Sequence, residues 1–463
     1  MRLLLSVLIT LSTVAIPKIA FAETDRYENM AKELLRQLIE TDTTHASGST
    51  TEAANIIARR LIGAGFPAED VKVIESAPNK GNLIARLRSE HATAKPILLL
   101  AHLDVVAADP ADWTLPPFQM TEKDGYWYGR GTTDDKDEAA IHTINMIRWK
   151  ENNFKPNRDI IIALTADEEG GPNNGVQYLI EHHRGLVDAA FALNEGGGGL
   201  MRDGQHVANT VQAAEKVYQS FTLEVTNAGG HSSRPRKDNA IYQLARALLA
   251  VENQIFPMGL NEVTRASFRQ GKVMMTQAQA SAVDGLLSRK PNKQAEQLFS
   301  AIPAYNAQLR TTCVATQLEA GHAENALPQR AKATINCRML PGSDPAQIQT
   351  TLARAIDDDE VSITPIKLAN PGPASPLTEE VMGPIYDVTG SMWPGIAVLP
   401  AMSTGATDGL FFRQIGIPVY GTSGLFRDMN DNRAHGRDER ISPQSFYEGL
   451  EYLDRLVRAY ASP

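Results

Sequence analysis

Cysteine is nearly absent: Cys313 and Cys337 are the only two in 463 residues. Two thiols cannot build a zinc–cysteine cluster or a small fold framed by disulfides, so neither architecture applies. A basic excess is missing as well, because 45 Lys plus Arg stand against 54 Asp plus Glu, for a net charge of −9. With no surplus cations to neutralise phosphates, a nucleic-acid partner is not expected. There is no internal repeat or low-complexity tract, and no Gly-x-Ser-x-Gly elbow follows an apolar run, which argues against a serine hydrolase. Beyond the N-terminus no stretch approaches the roughly 20 apolar residues that cross a bilayer. What remains is a chain 43% hydrophobic and 21% charged, long enough for two or three domains.

The first 22 residues lack acids altogether. Arg2 gives a basic start, Leu3 to Ile16 is an almost unbroken apolar run, and Ala20-Phe21-Ala22 offers small residues for cleavage. This is the layout of a secretory signal peptide, and the run is too short for a membrane anchor. Cleavage after Ala22 removes Arg2 and Lys18 and leaves 441 residues with a net charge of −11. The expected location is therefore secreted and periplasmic, with no stable membrane span. An oxidising compartment bears on the two cysteines. Arg310–Leu318 and Ala331–Leu340 both read as strands, and residues 313 and 337 are equidistant from the centre of the turn near Asn325. A hairpin would set them opposite each other, so a cross-strand disulfide and two buried thiols are the alternatives.

Short apolar runs alternate with longer amphipathic segments, the pattern of a mixed, mostly parallel sheet flanked by helices. The clearest strands are Pro96–Ala101, Asp159–Thr165, Ala189–Leu193 and Ile417–Tyr420; helices are expected over Tyr27–Ile39, Thr51–Ala64, Asp137–Asn152, Gly175–His182 and Ser442–Tyr460. Polar residues follow three of the strands at once: His102 and Asp104, then Asp167-Glu168-Glu169, then Asn194-Glu195 before four glycines. In open α/β sheets ligands bind beyond the carboxyl ends of the strands, so these side chains are expected on one rim. From Lys216 the texture changes to strand–helix–strand units typical of a small α+β domain, with 256–304 read as an irregular extension of it. The resulting organisation is a signal peptide at 1–22, a catalytic domain split between 23–215 and 368–463, and an inserted lid at 216–367.

His102, Asp104, Asp134, Asp135, Glu168, Glu169, Glu195 and His435 are the candidate metal-site residues. Each motif alone reads as a solvated loop feature. Together they place several carboxylates and two imidazoles on one rim, a set that suits zinc, cobalt or manganese. Carboxylates gathered this closely repel one another, and cations are the simplest compensation.

Six stretches resemble the M20 metallopeptidases: His-Leu-Asp-Val-Val at 102–106, Gly-Arg-Gly-Thr-Thr-Asp-Asp-Lys at 129–136, Thr-Ala-Asp-Glu-Glu-Gly at 165–170, Gly-Gly-His-Ser-Ser-Arg-Pro at 229–235, Asn-Ala-Leu-Pro at 325–328 and Ala-His-Gly-Arg-Asp-Glu-Arg at 434–440. They stand in that family's order. The resemblance implies a catalytic domain of the zinc-peptidase type and two divalent metal ions, zinc first among them. Asp134 would bridge the ions, with His102 and Glu195 completing one site and Glu169 and His435 the other. Glu168 would be the general base and acid, and Asp104 would orient His102 from behind. In the lid, His231 would stabilise the oxyanion, reaching the site from a second subunit in many dimeric members, so a homodimer through the lid is an expectation. Asn325 and Arg338 would bind the substrate, a guanidinium fork being a natural receptor for a free carboxylate. Ser403-Thr404-Gly405 reads as a further source of backbone donors or as a plain helix cap. Asp137, where the family often has Gly, and the glycines at 196–199 depart from the pattern and bear on substrate class rather than on metal binding.

The leading expectation is a secreted two-metal hydrolase that cleaves an amide next to a C-terminal amino acid, as a carboxypeptidase or dipeptidase. The alternatives are an N-acyl-amino-acid amidohydrolase with the same machinery and, from a different class, an inactive peptide-binding protein. The last would have lost a ligand or the base, and all six are present.

Overall fold

The structure is a computed structural model and describes residues 18–462. Residues 1–17 of the expected signal peptide lie outside the described residues. Among the described residues, no helix is long and apolar enough to cross a membrane.

The runs Ile97–His102 and Ile160–Thr165 are buried at every position. Strands this apolar on both faces must be covered on both, and they form the centre of a ten-stranded sheet. Its order is Val71–Glu75, Gly81–Leu87, Ile160–Thr165, Ile97–His102, Phe191–Asn194, Val419–Gly421, Gln205–Glu215, Gly199–Arg202, Phe426–Asp428, with Ala397–Ser403 also paired to Gln205–Glu215. The four central strands, from Ile160–Thr165 to Val419–Gly421, are parallel, whereas the pairs toward both edges are partly antiparallel. Six of the sheet's strands go beyond the four anticipated from sequence: Gly199–Arg202 and Gln205–Glu215, together with Val71–Glu75, Gly81–Leu87, Ala397–Ser403 and Phe426–Asp428. The first two are joined by Asp203-Gly204, both at positive φ, which is a two-residue hairpin turn.

Helices cover both faces. Lys136–Glu151 is buried around nearly its whole circumference, packed on the strand Ile97–His102 between the helices Lys18–Glu40 and Pro443–Ala461. The C-terminal helix starts where its sequence demands: Ser442 caps it by accepting from the Ser445 backbone at 3.1 Å, and Pro443 occupies the first turn.

The inserted domain is a four-stranded antiparallel sheet in the order Thr312–Ala320, Arg330–Met339, Val217–Thr226, Ser362–Pro365. The helices Ala240–Asn253 and Pro345–Ile356 cover one face around Phe221, Leu223, Leu244, Ile335 and Leu352. Cys313 and Cys337 stand directly opposite in register and are joined as a disulfide, the first of the two alternatives left by the sequence. The region 256–309 differs from expectation. It forms four short helices around a core of their own that includes Phe268, Val283, Leu286 and Phe299. The first of these, Glu262–Gln270, packs on Ala397–Ser403 of the larger sheet, so the stretch braces the catalytic domain instead of extending the lid sheet. Capping boxes at Asn261 and Thr276 are the local signals for two of these helices.

Candidate metal centre

The parallel strands bring their polar ends to one rim. In register, His102 stands opposite Thr165, and the neighbouring strand ends at Asn194, one residue before Glu195. Asp134 comes from the turn before the helix Lys136–Glu151, across a cis peptide bond between Asp134 and Asp135. His435 arrives on the loop before Arg440–Ile441 with a φ of 62°. The approach at Glu195 depends on glycine, since a side chain at Gly421 would collide with the Glu195 carbonyl.

Asp134 lies at the centre. Its Oδ1 is 3.0 Å from His102 Nε2 and its Oδ2 is 3.0 Å from His435 Nε2, so the two carboxylate oxygens face two different imidazoles. Glu169 Oε1 is 2.8 Å from the same His435 nitrogen. Two donor sets result, His102 with Asp134 and Glu195, and Asp134 with Glu169 and His435, the ligand atoms of each lying within 4.8 Å of one another. One imidazole and two carboxylates in each set suit a borderline divalent cation.

The loop carrying Glu168 and Glu169 is held from below. The two carboxylate oxygens of Asp104 accept the backbone N–H groups of Glu168 at 3.1 Å and Glu169 at 2.9 Å. This alters the expected role of Asp104: the group that meets His102 Nδ1 at hydrogen-bond distance, 2.9 Å, is the Asp104 backbone carbonyl, while its carboxylate is 3.7 Å away. The side chain is committed to the neighbouring loop. Asp135 also supports His102, accepting its backbone N–H at 3.2 Å.

Electrostatics describe a site short of positive charge. Burial pushes Glu195 up to about 8 and Glu169 up to about 7, and it drives Glu168 well above the carboxylate range. Burial opposes ionisation of Asp134 too, but hydrogen bonds from His102 and His435 outweigh it and hold this carboxyl below its usual range. The hydrogen bond to Asp134 lifts His435 to about 9. His102 is raised against the effect of its own burial, chiefly by Asp134 and Asp104.

Several supporting residues escaped the reading of the sequence. Asp408 is 3% exposed, accepts from Thr165 Oγ1 at 3.0 Å and Asn174 Nδ2 at 2.6 Å, and faces Glu168 and Glu195 electrostatically. Asp167 has a φ of 57° and is paired with Lys80 at 3.0 Å, which fixes the backbone just before Glu168. Arg130 and Glu439 form a buried pair at 2.6 Å that joins the Asp134 turn to the His435 loop. Arg130 and Glu439 lie inside the quoted motifs, but neither is among the candidate ligands.

The lid residues stand apart from this cluster. His231 is exposed on the short pairing of Gly230–His231 with Ala326–Leu327, and its Nδ1 meets Ser233 Oγ at 2.8 Å. Asn325 is close by, just before the partner segment Ala326–Leu327, its backbone carbonyl accepting the Ser232 N–H at 3.0 Å. Arg338 lies on the open face of the lid sheet, 4.7 Å over the Tyr218 ring. The structure therefore groups the five candidate ligands with Glu168 and Asp104, and leaves His231, Asn325 and Arg338 on the lid. The segment Ser403-Thr404-Gly405 ends the strand Ala397–Ser403, and the helix that follows, Gly409–Gln414, is only six residues long.

Comparison with known proteins adds the following. The profile of Peptidase family M20/M25/M40 matches residues 98–459. N-fatty-acyl-amino acid synthase/hydrolase PM20D1 of Xenopus tropicalis is 30% identical over 381 residues, covering 78% of this chain and 72% of that protein. Probable carboxypeptidase S-like 2 of Dictyostelium discoideum is 30% identical over 389 residues, covering 81% and 74%. Among solved structures, the M20 family metallo-carboxypeptidase Sso-CP2 from Sulfolobus solfataricus superposes with a TM-score of 0.69 at 19% identity, covering 93% of this chain and 99% of that one.

Proposed function

The chain belongs to peptidase family M20, a family of metal-dependent hydrolases, and from that premise we propose that it hydrolyses an amide bond whose amine side is an amino acid with a free carboxylate. The observation that carries this reading is Asp134, whose two oxygens face His102 and His435 at equal distances, the arrangement of a bridging ligand. His102, Glu195, Asp134, Glu169 and His435 would hold two divalent cations, zinc before cobalt or manganese. Such ions supply Lewis acidity and lower the pKa of water at the site.

The remaining chemistry belongs to the chain. Glu168 accepts a proton from the attacking water and returns it to the leaving nitrogen, a role worth a factor of about 10² to 10⁴ in rate. Its environment suits the task, because burial raises its proton affinity and Asp104 fixes its backbone. Arg338 and Asn325 anchor the substrate carboxylate. His231 stabilises the oxyanion, and its exposed position on the lid supports delivery from a second copy of the chain. Exposed Tyr242, Leu249, Val314 and Leu318 on the lid helix and edge strand support a lid-to-lid homodimer. The Cys313–Cys337 disulfide supports export by the signal peptide to the periplasm.

One observation favours an N-acyl amino acid over a peptide. A cavity of about 740 Å³ between the domains is lined by Tyr218, Ile366, Leu368, Leu410, Phe411 and Ile415. Its lining includes Tyr218, whose ring the Arg338 guanidinium covers at 4.7 Å, and its apolar walls suit a hydrophobic acyl group. A series of N-acyl amino acids of increasing chain length tests this. Each buried methylene is worth up to about 0.8 kcal/mol, roughly fourfold in kcat/KM. A flat series with efficient dipeptide cleavage would return the assignment to carboxypeptidase or dipeptidase. Hydrolysis of neither class by metal-loaded protein would end the proposal.

A further inference from the structure

Lys216 is 1% exposed, one of the largest fully buried side chains in the protein. Its Nζ donates to the Arg310 carbonyl at 2.8 Å and to Thr312 Oγ1 at 3.2 Å, both neutral acceptors. The charged group that acts on it is Arg338, another cation. Burial and that neighbour together push the Lys216 amine down to about 8.

Register explains the proximity. Thr312, Arg338 and Tyr218 stand directly opposite one another across three adjacent strands and so share one face of the lid sheet. Lys216, two residues before Tyr218, belongs to the same face by strand alternation, whereas Val217, Cys337 and Met339 point into the helix-covered core. The Lys216 backbone N–H donates to the Ser403 carbonyl at 2.9 Å, at the end of the strand that leads to Asp408 beside the metal centre. Lys216 therefore occupies the junction between the lid face carrying Arg338 and the catalytic rim. Among the described residues no carboxylate pairs with either cation. Two neighbouring cations, one of them buried, are costly without an anion and favourable with one.

We propose that Lys216 and Arg338 together form the receptor for the substrate carboxylate, with Lys216 a second anchoring and specificity-determining cation. The inference rests on the proposed cleavage next to a free carboxylate and assigns that carboxylate a third partner beside Arg338 and Asn325. A purely structural lysine, tying the lid sheet to the helical segment that ends at Arg310, is the competing explanation.

The test compares an N-acyl amino acid with its C-terminal carboxamide as substrates of the metal-loaded full chain. Wild type is expected to prefer the carboxylate. In Lys216→Gln that preference falls about 10- to 100-fold, the range for a hydrogen bond to a charged group, because KM for the carboxylate substrate rises while the carboxamide loses less. Lys216→Met should match it, and Lys216→Arg, which keeps the cation, should restore most of the preference and serves if neither neutral variant folds. A structural lysine predicts equal losses on both substrates. An unchanged preference in the neutral variants, or an Arg variant that loses it as fully as Lys216→Gln is expected to, overturns the inference while leaving the cleavage reading intact. A wild-type enzyme indifferent to the carboxylate overturns both.

Discussion

Replacing Arg130 by methionine breaks the pair that ties the two halves of the metal centre together. Arg130 and Glu439 are 2% and 0% exposed, and their contact is 2.6 Å. Arg130 Nη2 also donates to the Gly436 carbonyl at 3.0 Å and the His435 carbonyl at 3.4 Å, while Glu439 Oε1 accepts from the Thr133 backbone at 2.7 Å and its hydroxyl at 3.0 Å. One side chain therefore fixes the loop of His435 and the other the turn before Asp134. Arg130→Met strands a buried carboxylate, which costs about 3–5 kcal/mol of stability. It also releases the His435 loop, whose positive φ is unfavourable for a residue other than glycine. Losing one charged hydrogen bond, worth about 1.5–3 kcal/mol, should weaken the cation held by Glu169 and His435 by about ten- to a hundredfold. The cation held by His102 and Glu195 should be weakened less. Stability is read by urea unfolding and affinity by metal titration of the stripped protein. The double variant Arg130→Met/Glu439→Leu should recover most of the stability, because no charge is left buried, but not the affinity. If Arg130→Met lost less than about 1 kcal/mol and bound both metals normally, the clamp would have no part in forming the site.

Other outcomes follow from the same geometry. Glu168→Ala should keep its metals and lose about 10² to 10⁴ in kcat, whereas His102→Ala and Asp134→Ala should lose metal as well, all read by metal analysis beside single-turnover rates. Normal turnover by metal-loaded Glu168→Ala would remove it as the base. Opening the disulfide with Cys313→Ser/Cys337→Ser frees a loop with a sequence separation of 24 and should cost about 3 kcal/mol; unreduced mass spectrometry finding two free thiols would remove the basis for this. In the metal-free protein Glu169, Glu195 and His435 titrate near 7, 8 and 9, against 4.5, 4.5 and 6.5 for the free groups. The folded state then holds the extra protons, so stability of the chelated protein should fall as pH rises from about 4.5 to about 9, and saturating zinc should abolish that fall. A urea midpoint that climbs over this range in chelator contradicts the charge balance described for the site.

The residues at the site were legible where chemistry and position coincide. His102, Glu168, Glu169 and Glu195 follow buried strands, so an apolar run ending abruptly in a candidate site residue was readable without coordinates. The supports were not, because they act across long separations: Asp408 meets Asn174, and Glu439 meets Arg130, through folding alone. Asp104 shows the same limit at short range: the resemblance implied that it orients His102, and in the structure its backbone carbonyl meets the His102 ring while its carboxylate holds the next loop. The stretch 256–304 read as irregular because its helices are short and bury a separate small core, a pattern that periodicity over long windows misses. Lys216 was visible only as the start of a new texture, and its burial against neutral acceptors appears once the lid sheet is aligned.

The central claim is that two divalent cations, which Asp134 would help to hold together with His102, Glu195, Glu169 and His435, are needed for this chain to hydrolyse an amide. Stripped protein should be titrated with zinc while hydrolysis of an N-acyl amino acid and a dipeptide is followed. Activity absent at the start and rising to a plateau at two equivalents per chain, with Asp134→Asn binding neither ion tightly, is the predicted result. Full hydrolysis in the presence of chelator, or a saturated protein that cleaves neither substrate, would contradict it.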